Sequence, residues 1–162
     1  MQYIILAMSV LGPISTLLNV HFPTVQVRDG WRLRNSFIRV TLYATGLSAI
    51  VTFVVLAISP LVFRILYGVA YLPSVPYVMG FGLFGALFGL GIGLGPMWRA
   101  VGKVQVSIII NLVTLGLGVP LGIWLITVWH IWGAVAMVTL WYTLSHMASF
   151  LYLLKALKNR PQ

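Results

Sequence analysis

The apolar run from Val104 to Val128 reads VQVSIIINLVTLGLGVPLGIWLITV. It contains no charged residue. An α-helix rises about 1.5 Å per residue, so about 20 predominantly apolar residues cross the hydrocarbon core of a bilayer. This stretch is long enough to do so. The sequence therefore predicts a transmembrane helix over residues 104–128.

Four further apolar runs meet the same criterion on either side of it, at residues 3–20, 40–61, 75–97 and 131–154. Only Trp129 and His130 separate the run at 104–128 from the run at 131–154, and so short a connection predicts that these two helices are antiparallel. The predicted fold class is therefore an all-α integral membrane protein. About five transmembrane helices are expected to form a single membrane domain over residues 1–162.

The composition agrees with a surface that faces lipid. Hydrophobic residues make up 60% of the chain, charged residues only 7%, and the mean hydropathy is +1.04. Soluble domains carry about 25% charged residues, because that surface must face water. The composition therefore excludes an ordinary soluble globular domain.

The charges are distributed unevenly between the two ends of the predicted spans. Ten Lys and Arg stand against one acidic residue, which gives a net charge of +9. Arg64 alone falls on one side, and cytoplasmic loops are the ones rich in Lys and Arg. We therefore expect a cytoplasmic C-terminus and contact with membrane lipid rather than nucleic acid. The opposite side carries nine of the ten: Arg28, Arg32, Arg34, Arg39, Arg99, Lys103, Lys155, Lys158 and Arg160.

Two expectations follow for the N-terminal part of the chain. An odd number of spans places the N-terminus outside, yet no basic segment precedes the run at 3–20, as a signal peptide would require. We therefore expect Met1 to lie inside a longer ancestral chain. Residues 22–38, which mix aromatic and basic residues, are predicted to form a cytoplasmic loop with a piece along the membrane interface.

The side chains needed for most enzymes are missing. Asp29 is the only acidic residue, there is no cysteine, and the three histidines have no metal-ligand spacing. The sequence therefore excludes catalysis by paired carboxylates and by a cysteine thiol, and we do not expect a metal centre. We therefore expect no catalytic site, no cofactor and no metal.

Four polar residues are candidates for contact with a substrate. Asn111 and His146 lie within predicted spans, where polar groups are costly and face the protein interior or a watery cavity. Each has a structural alternative, an interhelical hydrogen bond for Asn111 and an interior packing contact for His146. Arg39 and Arg64 lie at span ends. They either anchor the helix at the head groups or contact an anionic substrate.

Glycines recur at helical spacing in the third predicted span, at Gly82, Gly85, Gly89 and Gly93. Small residues let membrane helices approach closely, which favours packing as their role. Glycine- and proline-interrupted helices also bend in transporters, and Pro120 interrupts the fourth span in this way. Both roles are compatible.

The order of several short motifs resembles that of a known family. Leu66-Tyr67-Gly68 with Tyr71 is similar to an L-[FY]-G-x-x-Y signature, and a Gly-rich span ends in Trp98-Arg99-Ala100-Val101-Gly102-Lys103, similar to x-x-A-x-G-[KR]. Trp132-Gly133-Ala134-Val135-Ala136 resembles a G-A-A-x-A opening of the final span. Together they resemble the C-terminal half of polysaccharide flippases. These are the lipid-linked oligosaccharide exporters of the multidrug/oligosaccharidyl-lipid/polysaccharide superfamily.

The resemblance implies part of a flippase-like transporter in the bacterial inner membrane, working by alternating access. It implies a lipid-linked glycan as substrate, with a missing N-terminal lobe or a partner subunit to complete the cavity. Two other functions stay open. A multidrug or cation antiporter would need a membrane-embedded acid, and a non-transporting membrane subunit or inactive truncated remnant would need no site at all.

Overall fold

The computed structural model describes residues 9, 12–26 and 30–158 of the chain. Helices α1 (Gly12–Gln26) and α2 (Gly30–Val62) come first. A π-helical turn (Phe63–Tyr67) and a 3₁₀ helix (Val69–Ser74) connect α2 to four short helices. These are α3 (Val75–Gly80), α4 (Gly82–Leu87), α5 (Gly89–Ile92) and α6 (Leu94–Val101), and α7 (Val104–Lys158) completes the chain. The described residues contain no strand.

Helix α2 is continuous through a stretch for which the sequence predicts a loop. It begins at Gly30, whereas the predicted span begins at residue 40, and α1 extends to Gln26. The predicted loop over 22–38 is therefore wrong for most of its length. Arg32 and Arg34 belong to an amphipathic first half of α2, which buries Leu33 and Phe37 completely.

Proline 60 stands near the end of α2 without ending it. A proline has no N–H to donate to the carbonyl four residues back, here that of Leu56. The hydroxyl of Ser59 donates to this carbonyl instead, at 2.8 Å. The helix then loosens into the π-helical turn, and Gly68, with φ of 86°, reverses the chain direction.

Helices α3–α6 form one interrupted helical rod over residues 75–101, which we call the broken helix. The sequence predicts a single helix over 75–97, but the helical hydrogen bonding is interrupted around Phe81, Phe88 and Gly93. Around Phe88 the amide of Phe88 donates to Gly85 O and the amide of Gly91 donates to Phe88 O. Both are tight three-residue bonds, which local 3₁₀ geometry produces.

The broken helix packs antiparallel to α2 through small residues on both sides. Gly89 lies so close to the backbone of Ala44 and Thr45 that a side chain at this position would overlap them. Further along, Gly82 faces Leu56 and Gly93 faces Phe37. The face of α2 that meets the glycines carries buried hydroxyl residues at spacings of four and seven: Thr41, Ser48, Thr52 and Ser59.

Helix α7 is a helical hairpin. His130 has φ of 51° and ψ of −123°, which breaks the helix into a first arm (104–129) and a second arm (131–158). Ser145 contacts Asn111, Trp141 faces Gly118, and Met137 packs on Gly122. Because one partner number falls as the other rises, the arms are antiparallel. This confirms the antiparallel pairing expected from the short connection at Trp129 and His130.

The second arm also packs parallel to the broken helix. Trp132 lies against Gly80, Tyr142 against Phe84 and Phe88, and Tyr152 against Trp98. The broken helix is thus held between α2 and the second arm, while the first arm lies outside. The main hydrophobic core draws on all of these elements and on α1.

Three helical stretches are long and apolar enough to cross a membrane: Arg32–Tyr67, Gly82–Val101 and Val104–Lys158. The membrane-spanning character of the chain is thus supported by length and composition, and the expected count of about five is not confirmed. Residues 3–8, 10 and 11 of the predicted span at 3–20 lie outside the described residues, and the rest of the span from Gly12 onward belongs to α1.

Candidate functional site

The broken helix is fixed around its interruption at Phe88 by two hydroxyl groups from neighbouring helices. The Ser48 hydroxyl on α2 donates to Gly85 O at 2.6 Å, and the Tyr142 hydroxyl on the second arm donates to Phe88 O at 2.7 Å. These carbonyls are the ones that also accept the three-residue bonds. A carbonyl oxygen has two lone pairs, so each can accept both bonds. The interruption at Phe88 is therefore stabilised by tertiary contacts.

The contacts of Ser48 and Tyr142 with the broken helix were not predicted from the sequence. A signal for Ser48 was present, because Ala44, Ser48 and Thr52 recur every four residues on the helix face that meets the glycines. Nothing comparable marks Tyr142, which resembles any other aromatic residue of an apolar span. Its role depends on Phe88 lying opposite, with the two rings stacked at 5.9 Å.

His146 lies one turn beyond Tyr142 and has an interior position. Its Nδ1 lies 2.8 Å from Tyr142 O, and its ring stacks on the Tyr142 ring with centroids 3.8 Å apart. Since a carbonyl only accepts, Nδ1 carries the proton and Nε2 is the acceptor. Gly91 leaves room for this edge of the ring, because a side chain at Gly91 would meet Nε2 at 2.9 Å.

Asn111 makes the interhelical hydrogen bond that was its structural alternative. Its Oδ1 accepts from the Ser145 hydroxyl at 2.6 Å, which ties the first arm of the hairpin to the second. Ser145 is buried, while Asn111 retains exposed surface. Asn111 thus contacts the second arm at Ser145, whereas His146 faces Gly91 of the broken helix, so the two do not form a common site.

Arg39 and Arg64 lie far apart along one rod. They are separated by about 25 residues of helix, or roughly 38 Å at 1.5 Å per residue. Both side chains are exposed. The structure therefore does not bring the four candidate residues together, and their contact with a substrate remains a prediction.

Basic residues gather instead at one end of the molecule, which we call the basic end. The start of α2 lies here, because Phe37 contacts Phe150 at 5.3 Å. The turn after α6 lies here too, because Trp98 contacts Tyr152 at 5.6 Å. The described members of the basic end are Arg32, Arg34, Arg39, Arg99, Lys103, Lys155 and Lys158.

The turn that carries Lys103 is built by Gly102. This residue has φ of 70° and ψ of 24°, the left-handed conformation that ends many helices and suits glycine. The Lys103 amide then donates to Trp98 O at 3.1 Å. Its ammonium group lies 5.7 Å from the centroid of the Tyr152 ring, a cation–π distance. Lys103 is thus held at the foot of the hairpin.

The positive charge at this end is almost uncompensated by acidic residues of the chain. The single acidic side chain, Asp29, lies outside the described residues and can neutralise only one of ten cations. The exposed side chains of Arg99, Lys103, Lys155 and Lys158 can meet anions from outside the chain. Phosphate groups are a good match, since Lys and Arg donate charge-assisted hydrogen bonds to them.

Comparison of the chain with protein-family models, with curated proteins and with solved structures finds no match. The resemblance to polysaccharide flippases therefore rests on the motif residues themselves. Two of these have a clear structural role, since Gly68 and Gly102 both take positive φ where the chain turns.

Proposed function

We propose that the chain is a membrane-embedded lobe of a transporter that moves lipid-linked oligosaccharide precursors across the bacterial inner membrane by alternating access. The observation that carries the proposal is the basic end, which lies at the foot of the helices that frame the broken helix. An anionic lipid-linked glycan presents phosphate at the membrane surface. Cations at that depth compensate the cost of bringing the phosphate toward the cavity.

The proposed topology has five crossings: the segment containing α1, helix α2, the broken helix and the two arms of the hairpin. The basic end faces the cytoplasm, with the C-terminus on the same side, because Lys and Arg concentrate on cytoplasmic ends. Arg39 then meets substrate phosphates on entry, and Arg64 lies at the outer mouth. A second lobe or partner subunit completes the cavity.

The broken helix supplies the mobility that alternating access needs. Its helical hydrogen bonding is interrupted at Phe81 and Phe88. Interrupted helices are the places where transporters bend. The cation-antiporter alternative is less well supported, because no Asp or Glu lies among the residues that the structure describes.

The proposal is tested by purifying the full chain together with the second lobe or partner subunit that accompanies it, and reconstituting both in liposomes that contain a polyprenyl-pyrophosphate oligosaccharide with a fluorescent group on the glycan. A membrane-impermeant quencher reports how much of the glycan reaches the outer leaflet. We expect transport with the wild-type chain, a several-fold slower rate for Arg39→Gln, and near-normal transport for Arg39→Lys. Unchanged transport in Arg39→Gln and Arg64→Gln rejects their proposed contacts.

The same liposomes separate the other functions. Exchange of a cationic dye for protons, without movement of the glycan, indicates an antiporter. Absence of both activities, in a chain that unfolds cooperatively, indicates a non-transporting subunit or an inactive remnant. Either result overturns the proposed function.

A further inference from the structure

Asn111 has unused hydrogen-bonding capacity at a depth where lipid surrounds the first arm. It lies eight residues above Lys103, or about 12 Å along the helix axis. One leaflet contributes about 15 Å of hydrocarbon, so Asn111 lies beneath the head groups. Its Oδ1 accepts the Ser145 hydroxyl, but no described residue accepts a hydrogen bond from its Nδ2, and Asn111 is exposed. An exposed amide in hydrocarbon has no water to bond, so it requires a partner from outside the chain.

The apolar residues beside Asn111 are turned away from the core. Val106 and Ile110 are the residues of this part of the arm that pack against the core. Ile108 and Leu115 lie three residues before Asn111 and four residues after it, so they share its side of the helix. They are exposed to 54% and 42%. Spacings of three and four form the seam along which two helices pack on each other. We call this surface the outer strip; it consists of Ile108, Asn111, Leu112, Leu115 and Val119.

The charge distribution determines how two copies of the chain lie relative to each other. Every described Lys and Arg except Arg64 belongs to the basic end, so each copy inserts with that end on the same side of the membrane. Equivalent residues of two copies therefore lie at the same depth. A two-fold axis along the membrane normal then brings a residue at the centre of the contact opposite itself.

Asparagine is a side chain that can satisfy such a contact with itself, because one amide group carries both a donor and an acceptor. The Nδ2 of each Asn111 can donate to the Oδ1 of the other copy. That oxygen has two lone pairs, and the Ser145 hydroxyl occupies only one of them. The bond within each chain and the bonds between the chains are therefore compatible.

We propose that the outer strip is the contact between two parallel copies of this chain, in which the two Asn111 amides pair at the two-fold axis. The apolar residues of the strip supply packing contacts. The amide pair adds hydrogen bonds and fixes the register, as a buried asparagine does in a coiled coil. The inference goes beyond the proposed function, because it names the partner subunit. It rests on the first arm and the membrane topology, so it holds whether or not the chain moves a glycan.

The amide pair is expected to contribute measurably to the affinity between the copies. Polar side chains that bond across membrane helices change association by about fivefold to thirtyfold in model helices. We therefore expect Asn111→Leu to raise the dissociation constant of the dimer by about tenfold. Ser145→Ala is the matched control, because it removes the bond within the chain and leaves the Asn111 amide in place. Its dissociation constant should stay near the wild-type value.

The experiment measures fluorescence energy transfer between copies of the full chain in liposomes of phosphatidylcholine and phosphatidylglycerol. The chain has no cysteine, so Lys158→Cys provides a single site for either the donor or the acceptor dye. Dilution of the protein with lipid then gives the dissociation constant. We expect transfer in the wild-type background to exceed that of random proximity at the same density and to fall on dilution. Asn111→Leu should lose transfer at a lower dilution, and Ser145→Ala should not.

Two cysteine variants locate the contact on the first arm. Leu115→Cys and Leu117→Cys replace the same residue type at exposed positions on opposite sides of the helix. Copper phenanthroline serves as the oxidant, which takes two electrons from a pair of thiols as their disulfide forms. Leu115→Cys should give a disulfide-linked dimer, whereas Leu117→Cys should stay largely monomeric.

A tryptophan pair keeps the test decisive if Asn111→Leu fails to fold. Leu115→Trp adds a bulky ring to the outer strip and should weaken energy transfer, while Leu117→Trp adds the same ring on the other side and should not. Both sites are exposed, so the ring needs no space in the core.

Three results overturn the inference. Transfer at the random level in the wild-type background leaves the Asn111 amide to lipid or to a helix of another protein. Equal disulfide yields at Leu115 and Leu117 mean that the copies collide without a specific contact. A wild-type dissociation constant in both Asn111→Leu and Leu115→Trp places the contact elsewhere. Failure to form dimers leaves transport with a different partner subunit possible, and dimers without glycan movement remove only the transport function.

Discussion

At the scale of single residues, a close contact between two helix backbones decides what one position can tolerate. A methyl group at Gly89 would overlap the carbonyl of Ala44 and the backbone of Thr45. Backbone cannot move aside as the end of a flexible side chain does. We therefore expect Gly89→Ala to lower the free energy of unfolding by about 1–3 kcal/mol. Thermal unfolding in detergent, followed by circular dichroism, measures this loss.

Gly46→Ala is the matched control for that variant. Gly46 lies on α2, two residues beyond Ala44, and nothing lies within 4 Å of a Cβ built there. Its unfolding temperature should be unchanged or slightly higher, because alanine favours helix over glycine. If the two variants unfold alike, the close approach of α2 and the broken helix is wrong.

A substitution at His130, unlike Gly89→Ala, is expected to raise the free energy of unfolding. His130 has φ of 51° and ψ of −123°, close to the first central position of a type II′ turn, where glycine is favoured. Such a conformation costs a non-glycine residue about 1–3 kcal/mol. His130→Gly should therefore raise the free energy of unfolding by about 1 kcal/mol. His130→Ala retains the strain, so equal stability of the two variants would contradict the turn geometry.

At the scale of whole elements, the broken helix depends on two hydroxyl groups from its neighbours. Removing a hydrogen bond of this kind costs about 1 kcal/mol, which corresponds to about a fivefold faster local opening. Hydrogen exchange should therefore accelerate about fivefold at the amides of residues 85–91 in Tyr142→Phe and in Ser48→Ala. Mass spectrometry of peptides from the exchanged protein measures the rates.

Thr52→Ala provides the control for these element-scale variants. The Thr52 hydroxyl donates to Ser48 O within its own helix, so its loss leaves both contacts to the broken helix in place. Exchange at residues 85–91 should match the wild-type rate. Faster exchange in all three variants would show general loosening of the helix packing rather than two specific contacts.

The same elements show what the sequence could and could not predict. The hairpin arms were predicted to within a few residues, because residues 104–154 contain no Lys, Arg or acid. The turn at His130 followed from the short connection. The start of α2 was predicted wrongly, because basic residues before residue 40 are typical of a loop. Leu33 and Phe37, four residues apart, are spaced to face one side of a helix. The interruption at Phe88 was missed because the hydroxyl groups that stabilise it, those of Ser48 and Tyr142, are distant in sequence.

The predictions for the candidate site residues also divide into those that local sequence determines and those that it does not. The interhelical bond of Asn111 is confirmed, and His146 has the interior packing contact that was its alternative. Both follow from the cost of a polar group in lipid, which is local information. The substrate roles of Arg39 and Arg64 remain predictions. A role in binding depends on what else lies nearby, and helical spacing alone does not determine that for residues near opposite ends of a long helix.

At the scale of the whole molecule, the proposed threading through the membrane is directly testable because the chain has no cysteine. Single cysteines can be placed at four exposed positions: Arg64, Lys103, His130 and Lys155. Lys103 and Lys155 belong to the basic end, so their cysteine variants should react with a membrane-impermeant maleimide only in inside-out vesicles. Arg64→Cys and His130→Cys should react only in right-side-out vesicles.

This pattern discriminates between the arrangements that the helix lengths allow. The first arm separates Lys103 from His130, and the second arm separates His130 from Lys155, so the three positions test each arm independently. Reaction of Lys103→Cys and His130→Cys from the same side would mean that the first arm does not cross. The hairpin would then lie along the membrane surface, and the proposed threading with five crossings would be wrong.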